Sequence, residues 1–543
     1  TTIMKLKFNH LYRGLLFSGL MLANISCSDS FLELDNPNQV SDNTFWQSES
    51  DALMALAACY DALQSDHLYD DNVDGGGFGF LMRETSTDNG QHTWGDWMQG
   101  STVSKGTSAT TDGCFSNYWN ANYELIKRCN LLLSKIDAIP MEDKAKGTIK
   151  AEAIALRALG YCNLTSLYRD VPYITAPLTL ENPEAPKELK STIADKVLAD
   201  LKANNPNLPP KGTEQKGRMS QEAGYAIMGR MALFNQRWDD AIEAYNNVIG
   251  KVSLFKSGDG TDYEANFRDL FKEDNETCDE VLLSVHYTGP GLKEGSTFGV
   301  CWNAPLNAIE ASMNLCDDFY CTDGLPIDIS PLFNKGSLEK GKHTQENPDY
   351  ARYENRDPRL KATLMLPGMT WNGKEYTNNL PAKSTACILK WFTPENTANE
   401  YDGSLDYYII RYAEVLLSMA EAKIEKNAPQ TEVTPYINEV RARVGMPAVE
   451  AVEGTSLSQD ELRKIVRHER RVELAFEDLR LADLYRWGEW ENAVKRMQND
   501  KEFYGDKFCV YDFNYRGAQD TVWPIPQGEI DTNKQLVQHD EWK

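Results

Sequence analysis

The chain of 543 residues is poor in histidine and in positive charge, and it lacks the compact signatures of catalysis. Its seven histidines, with His67, His92, His286 and His468 among them, form no HExxH motif and no other paired-ligand spacing, so a zinc-hydrolase centre is not encoded. There is no GxSxG elbow, no glycine-rich phosphate loop closing on Lys-Ser/Thr and no dinucleotide fingerprint. The eleven cysteines include no CxxC pair. Cys59, Cys114, Cys129 and Cys162 sit among apolar neighbours and Cys316 and Cys321 lie five apart, so buried thiols with one or two bridges at most are expected. After residue 26 no apolar run is long enough to span a bilayer. Carboxylates are abundant, which leaves a glycosidase pair open, but no two of them are singled out by spacing.

What the chain does have begins at its N-terminus. Lys5, Lys7 and Arg13 form a basic region, Leu15-Leu16-Phe17 and Leu20-Met21-Leu22-Ala23 a short apolar one, and Ser26 precedes Cys27. This is the layout of a secretory signal, with Met4 the expected start. A cysteine after a small residue predicts lipoprotein processing at Cys27, although Asn24 departs from the usual lipobox; acyl chains there would anchor a soluble body. Residues 1–26 are thus expected to be the signal and 27–46 an acidic tether. Beyond residue 26 the chain carries 53 basic against 81 acidic residues, a net charge of −28. Such a surface repels nucleic acid and anionic lipid and does not penalise a neutral ligand.

Helical periodicity dominates the body. It predicts helices over Ser48–Leu63, Phe115–Ile136, Gly147–Tyr168, about 190–203, 219–235, 238–250, Tyr412–Lys426, Val433–Val444, Ser458–Phe476 and on to about Trp487. The pair around Arg237-Trp238-Asp239-Asp240-Ala241 has the features of a tetratricopeptide hairpin, with Ala226 and Ala232 at the crossing and Trp238 and Tyr245 in the groove. Two stretches differ. Residues from about 66 to 113 hold Gly75-Gly76-Gly77 and many Ser and Thr, and about 252–408 are rich in Gly, Asn, Asp and Pro, with Val281–Val285 reading as a strand. The expected fold is therefore all-α in its main body, tetratricopeptide-like hairpins over about 47–251 and 409–543, with a loop-rich insertion over 252–408 that contains short strands. Long loops on an ordered scaffold are where function is sought.

Several blocks, in order, carry a family resemblance. They are Ala151-Glu152-Ala153 to Asp170-Val171-Pro172; Gly217-Arg218-Met219-Ser220; Phe319 to Asp323-Gly324; Arg356-Asp357-Pro358-Arg359-Leu360; Ile410-Arg411-Tyr412-Ala413-Glu414; Ile437 to Arg443; Arg470-Arg471-Val472-Glu473-Leu474 to Arg486-Trp487-Gly488; and Val522-Trp523-Pro524-Ile525-Pro526-Gln527-Gly528-Glu529-Ile530. Together they resemble the SusD/RagB (starch-utilisation-system D) family across nearly the whole chain. One departure is Asp478-Leu479, where the family usually has Gly-His; a local effect is expected. Most blocks read as architecture: Arg411 with Glu414, and Glu473 with Arg480 and Asp483, have spacings that suit ion pairs, and Arg356-Asp357-Pro358-Arg359 suits a capped turn.

The resemblance implies an outer-membrane surface lipoprotein, facing the exterior, that captures oligosaccharide and delivers it to a SusC-like TonB-dependent transporter, without catalysis. Asp29 and Glu33 resemble the acidic export signals of such lipoproteins. A sugar site needs aromatic faces for pyranose rings and polar side chains for hydroxyls. Arg83, Glu84, Asp88, Asn89, Gln91, His92, Trp94 and Trp97 offer both, as do Tyr287, Trp302 and Asn303; Trp371, Trp391 and Tyr401 are weaker candidates. The ligand set expected is Arg83, Asp88, Asn89, Trp94, Trp97, Tyr287 and Trp302. Asp70, Asn72, Asp74 and Gly75 open like an EF-hand calcium loop, but the twelfth position is Leu81 instead of Glu, so a turn with solvated acids is the reading and no metal or cofactor is expected. Two alternatives stand beside glycan capture: a peptide-binding member of the same family, with a deeper and less aromatic cleft, and a surface glycoside hydrolase.

Overall fold

The computed structural model describes residues 45–72, 76–93, 99–179, 183–292, 294–301, 309–344, 347–371, 373–375, 386–506 and 508–543. Cys27, with the leader and most of the tether, lies outside them. The body from Ser48 onward forms one compact unit.

Among the described residues, eleven helices of eight or more residues build the scaffold: α1 (Glu49–Asp61), α2 (Gly113–Lys135), α3 (Asp143–Tyr168), α4 (Lys190–Asn204), α5 (Gln221–Phe234), α6 (Trp238–Tyr245), α7 (Tyr412–Glu425), α8 (Gln430–Arg443), α9 (Gln459–Leu474), α10 (Arg480–Trp487) and α11 (Trp490–Tyr504). Their ends follow local chemistry. Ser48 with Asp51 and Ser458 with Glu461 form capping boxes at α1 and α9. The Ser220 hydroxyl accepts the Ala223 N–H at α5, and Gly488 takes φ +69° to close α10. The helices stack side by side, α1 on α2, α2 on α3, α3 on α4 and α5, α5 on α6, and α6 on α7, which in turn packs on α8 and α9. Ala226 and Ala232 are buried at the α5–α6 crossing as expected, but the closest approach is at Gly229, where a Cβ would stand 2.2 Å from the Tyr245 ring. Trp238 is only half-buried. Among the described residues, the sequence pattern missed α11, whose one full apolar stripe (Trp490, Ala493, Val494, Met497) is short.

The two irregular stretches meet in small sheets. Strand β1 (Gly90–His92) comes from the first; β2 (Val281–Val285), β3 (Ile309–Ala311), β4 (Leu364–Met365), β5 (Cys387–Ile388) and β6 (Tyr407–Arg411) come from the insertion and its exit. One sheet runs β1-β3-β5-β4, all antiparallel, and β6 pairs with β2 through an irregular register before running straight into α7. Trp391 sits at the centre of the packing between insertion and scaffold, fully buried against Phe80, Phe271, Tyr407 and Tyr408, with its indole N–H donated to the Phe476 carbonyl at 2.7 Å. It is core, not ligand surface. Tyr401 is exposed and Trp371 packs beside Met365 and Cys387. The ten described cysteines are free thiols, nine of them buried.

The insertion is fastened to the scaffold by charge. Five carboxylates (Glu280, Asp357, Glu469, Glu473, Glu477) and five cations (Arg359, Lys390, Arg411, Arg441, Arg443), all nearly inaccessible, form one connected network. Glu473 is its hub, contacting Arg411 at 2.6 Å, Arg359 at 3.0 Å and Arg443. Burial raises the Glu473 and Glu469 acidities' pKa, but the surrounding guanidiniums outweigh it: Glu469 is held at about 2 and Glu473 well below the usual carboxylate range. The local pairings suggested by spacing are not made. Arg411 ends β6 while Glu414 faces Arg230 at 2.6 Å across α5 and α7. Arg480 turns to Asp88 at 2.8 Å, leaving Asp483 to Arg470 and Arg486. Apart from Asp483–Arg486, an i,i+3 pair within α10, these contacts run between elements, because the residues are buried, where every charge needs several partners.

Candidate functional site

The loop after α1 was expected to present its polar residues to a ligand. The structure places most of them in the core instead. Arg83, on the short helix Phe80–Glu84, is 1% exposed. Its guanidinium donates to Asp478 at 2.6 and 2.8 Å and to the carbonyls of His67, Leu68 and Phe78, and it lies 4.5 Å over the Tyr118 ring. All five donors are engaged, so none is left for a sugar. Asp478, which stands where the resemblance suggested glycine, has φ +63°, a region Asp tolerates better than most side chains. Its effect is not local: it clasps a residue 395 positions away.

The neighbours follow suit. The Glu84 carboxylate accepts the N–H groups of Phe476, Leu479 and Arg480 and the Asn89 side-chain amide, capping the start of α10; burial pushes its pKa up to about 7. Asp88 accepts from Arg480 at 2.8 Å and Arg496 at 2.6 Å, with Arg471 at 3.3 Å; burial would raise its pKa, but these three cations hold it well below the ordinary range. The Asn89 carbonyl accepts from Arg471 Nε at 3.0 Å. Gln91 and His92 are buried, and burial lowers the His92 imidazole to about 3, so it is neutral. Tyr287 is 6% exposed and donates its hydroxyl to the Tyr69 carbonyl at 2.9 Å. Arg83, Asp88, Asn89 and Tyr287, expected at a ligand surface, are thus placed in the interior and bonded to other protein groups. A loop that returns through the interior must satisfy its polar atoms, and these residues do so against the C-terminal helices.

Asp70 and Asp71 are likewise buried, not solvated. Asp70 accepts the N–H groups of Asp71 and Thr297, and Asp71 those of Gly79 and Leu81, each at 2.7–3.0 Å. Gly79 is required here, since a Cβ would fall 1.4 Å from the Asp70 carbonyl oxygen. Among the described residues no group of three or more His, Cys, Asp or Glu side chains is set to hold a metal. Asp74 and Gly75 lie outside the described residues.

Segments 73–75, 94–98 and 302–308 lie outside the described residues, and these bonds join residues that flank them. Their described ends are stitched together. His92 and Ile309 are register partners in the β1–β3 ladder, so the chain leaves toward 94–98 and arrives from 302–308 at the same end of that ladder. Gln99 donates to the Gly76 carbonyl at 2.5 Å and accepts from Asn117 on α2 at 3.2 Å. Thr297, just before the third segment, is bonded to Asp70, and the Cys301 thiol lies 3.7 Å from the Asp71 carbonyl. Trp94, Trp97, Trp302 and Asn303 fall in these segments. Three of the chain's twelve tryptophans are thus concentrated in fifteen residues whose anchors are adjacent.

Comparison with known proteins decides the family. The family model described as the SusD family matches residues 256–542, more than half of the chain. The chain belongs to the SusD family. A second model, described as starch-binding and associating with the outer membrane, matches residues 30–233. Among relatives, a SusD-like protein (P25) of Formosa agariphila is 24% identical over 96% of this chain and 97% of its own length. A SusD-like protein of Bacteroides ovatus is 22% identical over 85% of this chain and 80% of its own. Among solved structures, a SusD-like carbohydrate-binding protein of Bacteroides fragilis superposes with a TM-score of 0.75 at 24% identity, covering 91% of this chain and all of that one. A laminarin-binding SusD-like protein superposes with a TM-score of 0.60 at 23% identity over the same share. This SusD-family chain thus has the mainly helical fold, with short strands, that its sequence predicted.

Proposed function

We propose that this SusD-family protein captures neutral oligosaccharides at the cell surface, by stacking and hydrogen bonding without chemistry, and passes them to a SusC-like TonB-dependent transporter in the outer membrane. The observation that carries this reading is the adjacency of the described residues that flank segments 94–98 and 302–308, the segments whose sequence holds Trp94, Trp97 and Trp302. Indole faces suit pyranose rings, and anchors held together by hydrogen bonds lower the ordering cost of binding. The net charge of −28 beyond the leader supports a neutral ligand over an anionic one. The laminarin-binding relative in fold and the second family description point the same way. No helix among the described residues is long and apolar enough to cross a membrane, and lipid attachment at Cys27 is the anchoring we propose.

The test is calorimetric titration of the body from Ser28 onward with neutral hexasaccharides of α- and β-glucan, xylan and mannan type. A Trp94→Ala/Trp97→Ala/Trp302→Ala triple variant runs beside it. Micromolar-to-millimolar binding to one class, weakened at least about tenfold in the variant (~1.4 kcal/mol), is expected. Binding of peptides with no response to any sugar would move the protein to the peptide-capturing branch, and release of reducing ends would make it a hydrolase.

A further inference from the structure

A partly open cavity of about 740 Å³ lies along α2, between that helix, residues 172–178 and 183–185, and the C-terminal block. The volume is that of a small-molecule site. Its position is tied to the loops. Asn117, which bonds Gln99 at the foot of the 94–98 segment, is three residues before Asn120, and Asn120, Glu124 and Lys127 of the cavity continue the same face of α2. At ~1.5 Å per residue, the cavity begins ~5 Å from the loop anchor and ends ~15 Å from it.

The lining sets an apolar, aromatic wall against polar side chains. The Tyr123 ring is half-buried and pinned, because its hydroxyl donates to the Pro172 carbonyl at 2.7 Å; Trp119 lies beside it, centroid to centroid 4.9 Å. Ile174 and Leu536 continue the apolar wall. Against that wall stands the Glu529 side chain, half-buried and, among the described residues, with no ion pair or hydrogen bond. Burial raises its pKa, the sign of a carboxyl whose acceptors are unmet. The cavity's lysine does not serve it: Lys127 is held by Glu124 at 3.0 Å. Asn120 is exposed and, among the described residues, makes no bond through its side chain. An apolar ring platform facing a free acceptor and a free amide fits a ligand with apolar ring faces and hydroxyl donors; an anion would meet Glu529 and Glu124.

We infer that this cavity is a second saccharide subsite, taking neutral sugar units of the same class as the loop site, with Tyr123 as stacking platform and Glu529 and Asn120 as hydroxyl partners. The inference rests on the glycan-capture reading above. The experiment uses the body from Ser28 onward and the hexasaccharide that the wild type binds best. In the triple tryptophan variant a weaker, saturable binding is expected to remain. Adding Glu529→Gln and Asn120→Ala, both at accessible positions, is expected to weaken that residual binding at least about tenfold, with the circular dichroism spectrum unchanged. Loss of all binding in the triple variant overturns the inference and leaves the loop site intact. Residual binding indifferent to Glu529→Gln/Asn120→Ala also overturns it. No sugar binding by the wild type overturns both readings. A Gly-Lys-Gly probe that binds more tightly than the sugar and is lost with Glu529→Gln would assign the cavity to cationic peptide and refute the saccharide assignment.

Discussion

The buried charge network at the junction of insertion and scaffold makes a quantitative prediction through Glu473. Its carboxylate serves three guanidiniums, those of Arg359, Arg411 and Arg443, and all four side chains are at most 1% exposed. Glu473→Gln keeps the shape and removes one negative charge, leaving four carboxylates against five cations in a region water does not reach. Breaking a buried pair by deleting one partner typically costs ~3–5 kcal/mol, because the remaining charge is uncompensated. Glu473→Gln at pH 7 should therefore lower stability by ~3–5 kcal/mol. Arg443→Met alone should cost a similar amount, leaving five carboxylates against four cations. The double variant restores four against four and should be less destabilised than the sum by ~2–3 kcal/mol. The assay is urea denaturation followed by tryptophan fluorescence, since urea does not screen charge as guanidinium would. If the two substitutions add to within ~0.5 kcal/mol, or if Glu473→Gln costs less than ~1 kcal/mol, the network does not act as a unit and the argument fails.

Two further predictions concern groups reassigned or revealed by the structure. Arg83→Met should destabilise the fold by ~3 kcal/mol by stranding Asp478, yet leave glycan affinity of the folded protein within about threefold of wild type; a selective loss of affinity at unchanged stability would return Arg83 to the ligand site. Burial lifts Asp70, Glu84 and Asp500 each to about 7, so the folded state holds protons that the unfolded chain has released above pH ~4. Folded pKa values above the unfolded ones mean stability that is full at lower pH and lost as pH rises through 7. Buried His92, held neutral, acts in the opposite sense below about pH 6.5, so the test is a comparison: between about pH 5 and 7 the wild-type urea midpoint should fall relative to that of Asp70→Asn, and parallel profiles would contradict the burial of Asp70.

The sequence by itself determined the helical body. Apolar periodicity set α1 to α10 to within a few residues at most ends, because an amphipathic stripe and its caps are local properties. It also marked the Val281–Val285 strand, and its blocks carried the family that the comparisons established. It did not determine what the polar residues of the first loop do. Arg83, Asp88 and Asn89 look like ligand groups in a Ser/Thr-rich loop, and only the fold brings Asp478, Arg471 and Arg480 to them from nearly four hundred residues away. The same holds for the ten-member charge network: helical spacing suggested pairs along one element, but burial demanded partners from others. Nor could spacing show that the chain leaves β1 and enters β3 at one ladder end, the juxtaposition on which the proposed site rests. Such contacts depend on where the backbone goes in three dimensions, and the physics that fixes them, desolvation of charge and close packing, acts only once the chain has folded.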